Sequence, residues 1–107
     1  VRELRRTIPP VHEGFARLDR SALGAGALDA RTKELIALAI AVVQECDGCV
    51  VAHAGGAVRT GATSPEVAEA IGVAVLMSGG TSAHGPRAFA VFQELVESGD
   101  AASSPTV

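Results

Sequence analysis

The block from Leu35 to Val43 is apolar at all nine positions, so a helix built on it has no polar face to turn toward water. Asp29 stands just ahead of it as a good N-cap, and the pattern predicts a helix from Ala30 to about Gln44 that is buried all round. A chain of 107 residues and 10.8 kDa is one domain's worth. Such a small domain has little interior in which to surround a helix completely. Part of that surface is therefore expected against another subunit, in a homo-oligomer.

The remaining sequence fits the same all-α class. Alanine supplies 20 positions and the only aromatics are three Phe, so the core must be assembled from small and aliphatic side chains in closely packed helices. Pro9-Pro10 closes the first ten residues, which read as an extended arm, with one helical domain over 11–99. Val11, Phe15 and Leu18 recur at spacings of four and three, one face of a helix. Ser21 to Leu28, with Gly24 and Gly26, reads as a loop. A helix holding both cysteines in its first turn runs to about Arg59, with Gly61 as its stop. Ser64-Pro65-Glu66 reads as the start of a helix to about Met77, capped by Ser64. Gly79-Gly80 breaks it, and Thr81 or Ser82 caps a last helix carrying Phe89, Phe92 and Val96. Pro86 either kinks that helix or begins it. Asp100 to Val107 reads as a disordered tail. Five to six helices result, with no strand-like alternation.

Composition removes several functions. Nine Lys plus Arg against twelve Asp plus Glu give −3, so no global basic surface exists to neutralise phosphates, and few rings are present to stack on bases. No run approaches the roughly 20 apolar residues of a membrane span. The first residues lack the apolar stretch of a secretory signal, and a cytoplasmic location is expected.

Chemistry concentrates at Cys46-Asp47-Gly48-Cys49. Residues three apart on a helix project to the same side, so the two thiols are within reach of a reversible disulfide. A helix N-terminus also favours the reactive thiolate. His53 follows Cys49 by four on the same face and is suited to carry a proton. Glu34 opens the apolar helix; were that helix to pack on the cysteine helix, its carboxylate would reach the thiols in a dry setting with a raised pKa. The plainer readings are a static disulfide, which a four-residue loop makes weakly stabilising, or two inert buried thiols. A zinc site on Cys46, Cys49, His53 and Glu34 is a minor alternative, without a second CxxC or a His pair. Glu45 reads as an exposed helix-end residue, His12 and His84 as surface or packing residues, and Gly55-Gly56 as a point of close helix packing.

The run Lys33-Glu34-Leu35-Ile36-Ala37-Leu38-Ala39, followed by Cys46-Asp47-Gly48-Cys49-Val50-Val51-Ala52-His53, resembles the alkylhydroperoxidase D-like branch of the carboxymuconolactone decarboxylase superfamily. That branch has a Glu, a CxxC twelve residues on, and a His four after the second Cys, matched here at Glu34, Cys46, Cys49 and His53. The likeness continues through Ser64 to Met77, Gly79-Gly80 and Gly85-Pro86-Arg87-Ala88-Phe89, covering most of 11–98. It implies an all-helical fold, commonly a homotrimer or homohexamer.

The resemblance further implies a thiol peroxidase. Cys49 attacks a hydroperoxide, His53 and Glu34 relay the proton, and Cys46 resolves the sulfenic acid to a disulfide. A lipoyl or thioredoxin-like dithiol then reduces it, and no haem, flavin or metal is needed. The archetype carries a second His between the cysteines where this chain has Gly48, which shortens the relay. General disulfide reduction, a redox sensor whose oligomer responds to the disulfide, and a lyase like the sibling decarboxylase are the alternatives.

Overall fold

The computed structural model describes residues 2–79 and 83–99, and these residues form six helices: α1 (Arg2–Thr7), α2 (Pro9–Leu23), α3 (Ala30–Gln44), α4 (Asp47–Arg59), α5 (Ser64–Met77) and α6 (His84–Ser98). Among the described residues there is no strand. The central helix α3 begins where the sequence predicts, with the Asp29 side chain accepting from the Thr32 amide at 2.7 Å. It packs on α4 and α5, and α6 closes over α4 from the other side.

The core is made of aliphatic and small residues: Leu38 and Val42 from α3, Val50, Ala54 and Ala57 from α4, Val67 from α5, and Ala88 and Phe92 from α6. Four consecutive small residues, Ala54 to Ala57, are buried in α4, which lets neighbouring backbones approach closely. No other helix holds such a run, and α4 is the one packed heavily on both α3 and α6.

Several boundaries differ from the sequence reading. Residues 2–7 are helical rather than extended, because Arg, Glu and Leu are good helix formers and Arg5 and Arg6 complement the C-terminal end of the dipole. The chain breaks only at Ile8. Pro9 and Pro10 then occupy the first two positions of α2, where no N–H is needed, so they initiate a helix rather than bar one. That helix continues through Ser21 to Leu23, and the loop starts at Gly24, whose carbonyl accepts from Lys33 Nζ at 2.6 Å. Thr63, not Ser64, caps α5: its hydroxyl accepts from the Glu66 amide while Glu66 Oε1 accepts from the Thr63 amide at 2.8 Å. Pro86 sits third in α6, inside the first turn where its missing N–H is harmless, so it begins the helix and does not kink it. The suggested Thr81 or Ser82 cap and the tail from Asp100 lie outside the described residues.

The helix expected to be buried on every side is buried on one. Glu34, Leu38, Ala41 and Val42 face the core, whereas Ile36, Ile40 and Val43 are 44%, 50% and 42% exposed on the single chain. Neither α1 nor α2 buries any residue, and Val11, Phe15 and Leu18 of α2 stand exposed.

The caps generate a testable expectation. Replacing Thr63 by Ala should lower stability by about 1 kcal/mol in urea denaturation. Thr32 hydrogen bonds, side chain and then backbone, hold Asp29 below the usual carboxylate range, and the Thr63 amide does the same for Glu66. A depressed folded pKa stabilises above that range and is lost as pH falls through it. Melting temperature should therefore drop between pH 5 and pH 3, and less steeply in Asp29→Asn.

Candidate active site

The turn between α3 and α4 builds the site. Glu45 takes a left-handed conformation, φ 57°, and its amide donates to the Val42 carbonyl while the Cys46 amide donates to that of Ala41. This is the Schellman pattern that ends helices, with Glu where glycine is usual. The reversal delivers Cys46 directly as the N-cap of α4, where its sulfur accepts from the Cys49 amide at 3.3 Å. Cys46 and Cys49 are joined as a disulfide with Cα atoms 5.2 Å apart.

One helical turn deeper, His53 meets α3. Its Nδ1 lies 2.8 Å from Glu34 Oε1, with side chains 19% and 11% exposed. Glu34 is the buried charged residue among those described. An ionised carboxylate can only accept, so in the tautomer that pairs with it His53 carries its proton on Nδ1 and has Nε2 for a third group. The carboxylate was expected to approach the thiols; its partner is instead the imidazole, which follows Cys49 by four residues on the same face of α4.

Gly56 makes that contact feasible. A Cβ at this position would overlap the Glu34 carboxyl group, so the buried acid lies directly over the α4 backbone. Sequence reading assigned Gly55-Gly56 to close helix packing; here the close partner of Gly56 is the Glu34 carboxyl group. A glycine three residues after the motif's His was the available signal.

A cleft of about 240 Å³ lies between α2 and the α3–α4 pair. Glu34, Ala52, His53 and Arg59 line one side, and His12, Phe15, Ala16, Asp19, Arg20 and Leu23 the other. Neither cysteine lines it, so the cleft reaches the Glu34–His53 bond and not the sulfurs directly. His12, read as a surface or packing residue, belongs to this wall. Glu45 is exposed, as expected, but its left-handed backbone was not legible. On the far side of the disulfide, Asp47 pairs with Arg87 of α6, a link the sequence did not reveal. Among the described residues no group of three or more His, Cys, Asp or Glu is arranged to hold a metal ion. The four residues of the zinc alternative stand instead as two pairs, sulfur with sulfur and carboxylate with imidazole.

The model of the carboxymuconolactone decarboxylase family matches residues 9–94. The chain belongs to the carboxymuconolactone decarboxylase family. It is 42% identical over 94 residues to an uncharacterized protein of the cox locus of Paracoccus denitrificans, covering 87% of this chain and 85% of that one. An uncharacterized protein of Cupriavidus necator is 38% identical over 88 residues, 81% of this chain and 78% of that one. Among solved structures, the apo form of a carboxymuconolactone decarboxylase family protein from Legionella pneumophila superposes with a TM-score of 0.83 at 41% identity, covering 86% and 83% of the two chains. A Thermotoga maritima protein gives 0.79 at 30% identity, over 100% of this chain and 99% of that one. The family fold is all-helical, as the resemblance implied, and no described helix is long and apolar enough to cross a membrane.

The glycine contact can be checked directly. Gly56→Ala should lower stability by roughly 1 to 3 kcal/mol through overlap with Glu34, and should displace the His53 ring resonances in NMR. Gly72→Ala, in mid-α5 with open space around it, should instead raise stability by up to about 1 kcal/mol.

Proposed function

We propose that the protein is a thiol-dependent hydroperoxide reductase of the alkylhydroperoxidase type, cycling the Cys46–Cys49 disulfide with a Glu34–His53 proton relay. The observation that carries this reading is the buried Glu34–His53 hydrogen bond one helical turn beneath a CxxC disulfide at a helix N-terminus. A static structural disulfide has no use for such a pair beside it.

In the reduced protein His53 Nε2 takes the proton of the Cys49 thiol, and Glu34 stabilises the resulting imidazolium through Nδ1. The Cys49 thiolate attacks the terminal peroxide oxygen; the O–O bond breaks, sulfur is oxidised to sulfenic acid, and the leaving alkoxide recovers the proton from His53 as an alcohol. Cys46 thiolate then attacks the sulfenic sulfur, forming the disulfide and releasing hydroxide, which is protonated to water. An external dithiol of the lipoyl or thioredoxin type restores both thiols by exchange, in the cytoplasm. With Gly48 between the cysteines, His53 is the only imidazole of the motif, and the relay is the Glu34–His53 pair.

The reading extends to a homotrimer or homohexamer, supported by the exposed apolar residues Ile36 and Ile40 on α3 and Val73, Leu76 and Met77 on α5. Single-chain exposure of that many large apolar side chains is what a subunit interface covers.

With tert-butyl hydroperoxide and a dithiol reductant, the reduced protein should consume peroxide over repeated cycles. Cys49→Ser should abolish consumption, and Cys46→Ser, assayed without the dithiol, should stop after one equivalent with a trappable sulfenic acid. His53→Ala should slow consumption by about 100-fold. Full activity in Cys49→Ser would refute the scheme. In sedimentation velocity, Ile40→Glu should convert the oligomer to smaller species; a monomeric parent would remove the oligomer proposal.

A further inference from the structure

Asp47 occupies the first position of α4, between the two cysteines, and its carboxylate is held from a different helix. Arg87, in the first turn of α6, donates from Nε to Oδ1 at 2.6 Å and from Nη2 to Oδ2 at 3.2 Å. Both side chains are about half exposed, 54% and 52%. The two parallel bonds form the fork geometry that a guanidinium makes with a carboxylate and an ammonium does not. The fork holds Asp47 below the usual carboxylate range and Arg87 above its own. His84, three residues before Arg87, also acts on Asp47, and Glu94 acts on Arg87.

An isolated surface ion pair of this kind contributes little to stability. Its position gives it another consequence. An uncompensated carboxylate on the residue next to Cys46 would oppose a second negative charge on that sulfur. A guanidinium locked on both carboxylate oxygens cancels that field beside the N-terminus of α4.

We infer that Arg87 is a positioning residue for the redox centre: by neutralising Asp47 it keeps the Cys46 sulfur of the reduced protein in its thiolate form. The inference rests on the proposed cycling of the CxxC pair, and it names the step affected. Cys46 thiolate attacks the Cys49 sulfenic sulfur, the S–S bond forms as the S–O bond breaks, and the departing hydroxide is protonated to water. Protonated Cys46 cannot make that attack, so the Arg87 fork sets the rate of disulfide closure without touching peroxide.

The test requires no peroxide. The full chain, reduced and freed of reductant, is treated with iodoacetamide at pH 7, and alkylation of each cysteine is followed by mass spectrometry. Arg87→Gln should slow alkylation of Cys46 three- to tenfold while changing Cys49 by less than twofold. The double variant Asp47→Asn, Arg87→Gln should return Cys46 to within twofold of the parent, and 1 M NaCl should narrow the gap between parent and Arg87→Gln. Asp47→Asn alone should leave Cys46 at least as reactive as in the parent, which keeps the test decisive should Arg87→Gln fail to fold. An unchanged Cys46 rate in Arg87→Gln, a double variant as slow as the single one, or a slowed Asp47→Asn would each overturn the inference. Peroxide consumption is assayed on the same samples. A parent that shows the alkylation pattern but consumes no peroxide would remove the peroxidase reading and leave the role of Arg87 standing.

Discussion

The contact between Glu34 and His53 sets the terms for the packing around it. A carboxylate taken out of water in a small aliphatic core is strongly unfavourable unless its lone pairs are satisfied, and the imidazole is the partner that this fold supplies. Bringing the two together demands that α3 and α4 approach closely at one level. The demand is met by removing side chain from α4 at Gly56, immediately under the carboxyl group. The run of small residues around it, Ala54 to Ala57, then lets α6 close on the opposite side with Ala88 and Phe92. The small residues of α4 thus serve both the aliphatic core and the polar pair at its edge, where Glu34 and His53 border the cleft beside α2.

Much of this was legible in the sequence, and the reasons differ by element. Helix α3 was readable to the residue at both ends because Asp29 offers a side-chain oxygen to the first turn and the apolar block is unbroken. The two side-chain pairs of the candidate site were readable because Glu34, Cys46, Cys49 and His53 lie at fixed spacings on two consecutive helices, which the structure joins as Cys46 with Cys49 and His53 with Glu34. The failures share a different cause. Pro9 and Pro10 were taken for barriers when, at the first positions of a helix, proline satisfies the backbone as well as any residue. Thr63 lost the capping role to Ser64 in the sequence reading because both carry hydroxyls one residue apart, and only the reciprocal bond with Glu66 distinguishes them.

Tertiary pairings were harder still. Arg87 and Asp47 are 40 residues apart, and no local pattern announces that the first turn of α6 ends beside the first turn of α4. The cleft wall on α2 was equally hidden: Phe15 marks the apolar face of that helix, but His12, Asp19 and Arg20 acquire meaning only when α2 lies across α3 and α4. The apolar block of α3 was read as a helix buried on every side. What the single chain shows is that its own helices cover one of those sides.

The junction of α3 and α4 shows how the proposed redox cycle would fit such a closely packed fold. The left-handed turn at Glu45 closes α3 using the amides of Glu45 and Cys46, and Cys46 then begins α4 with its own sulfur as the acceptor for the Cys49 amide. A thiolate accepts a backbone hydrogen bond as readily as a disulfide sulfur, and more strongly. Formation and rupture of the Cys46–Cys49 bond thus leave the cap of α4 satisfied in both states. The change stays in the first turn, above Val50 and the core, while His53 and Glu34 remain fixed one turn below. Reactive sulfur at an N-cap is a way to confine chemistry to the one part of a helix whose backbone groups need an outside partner in any case.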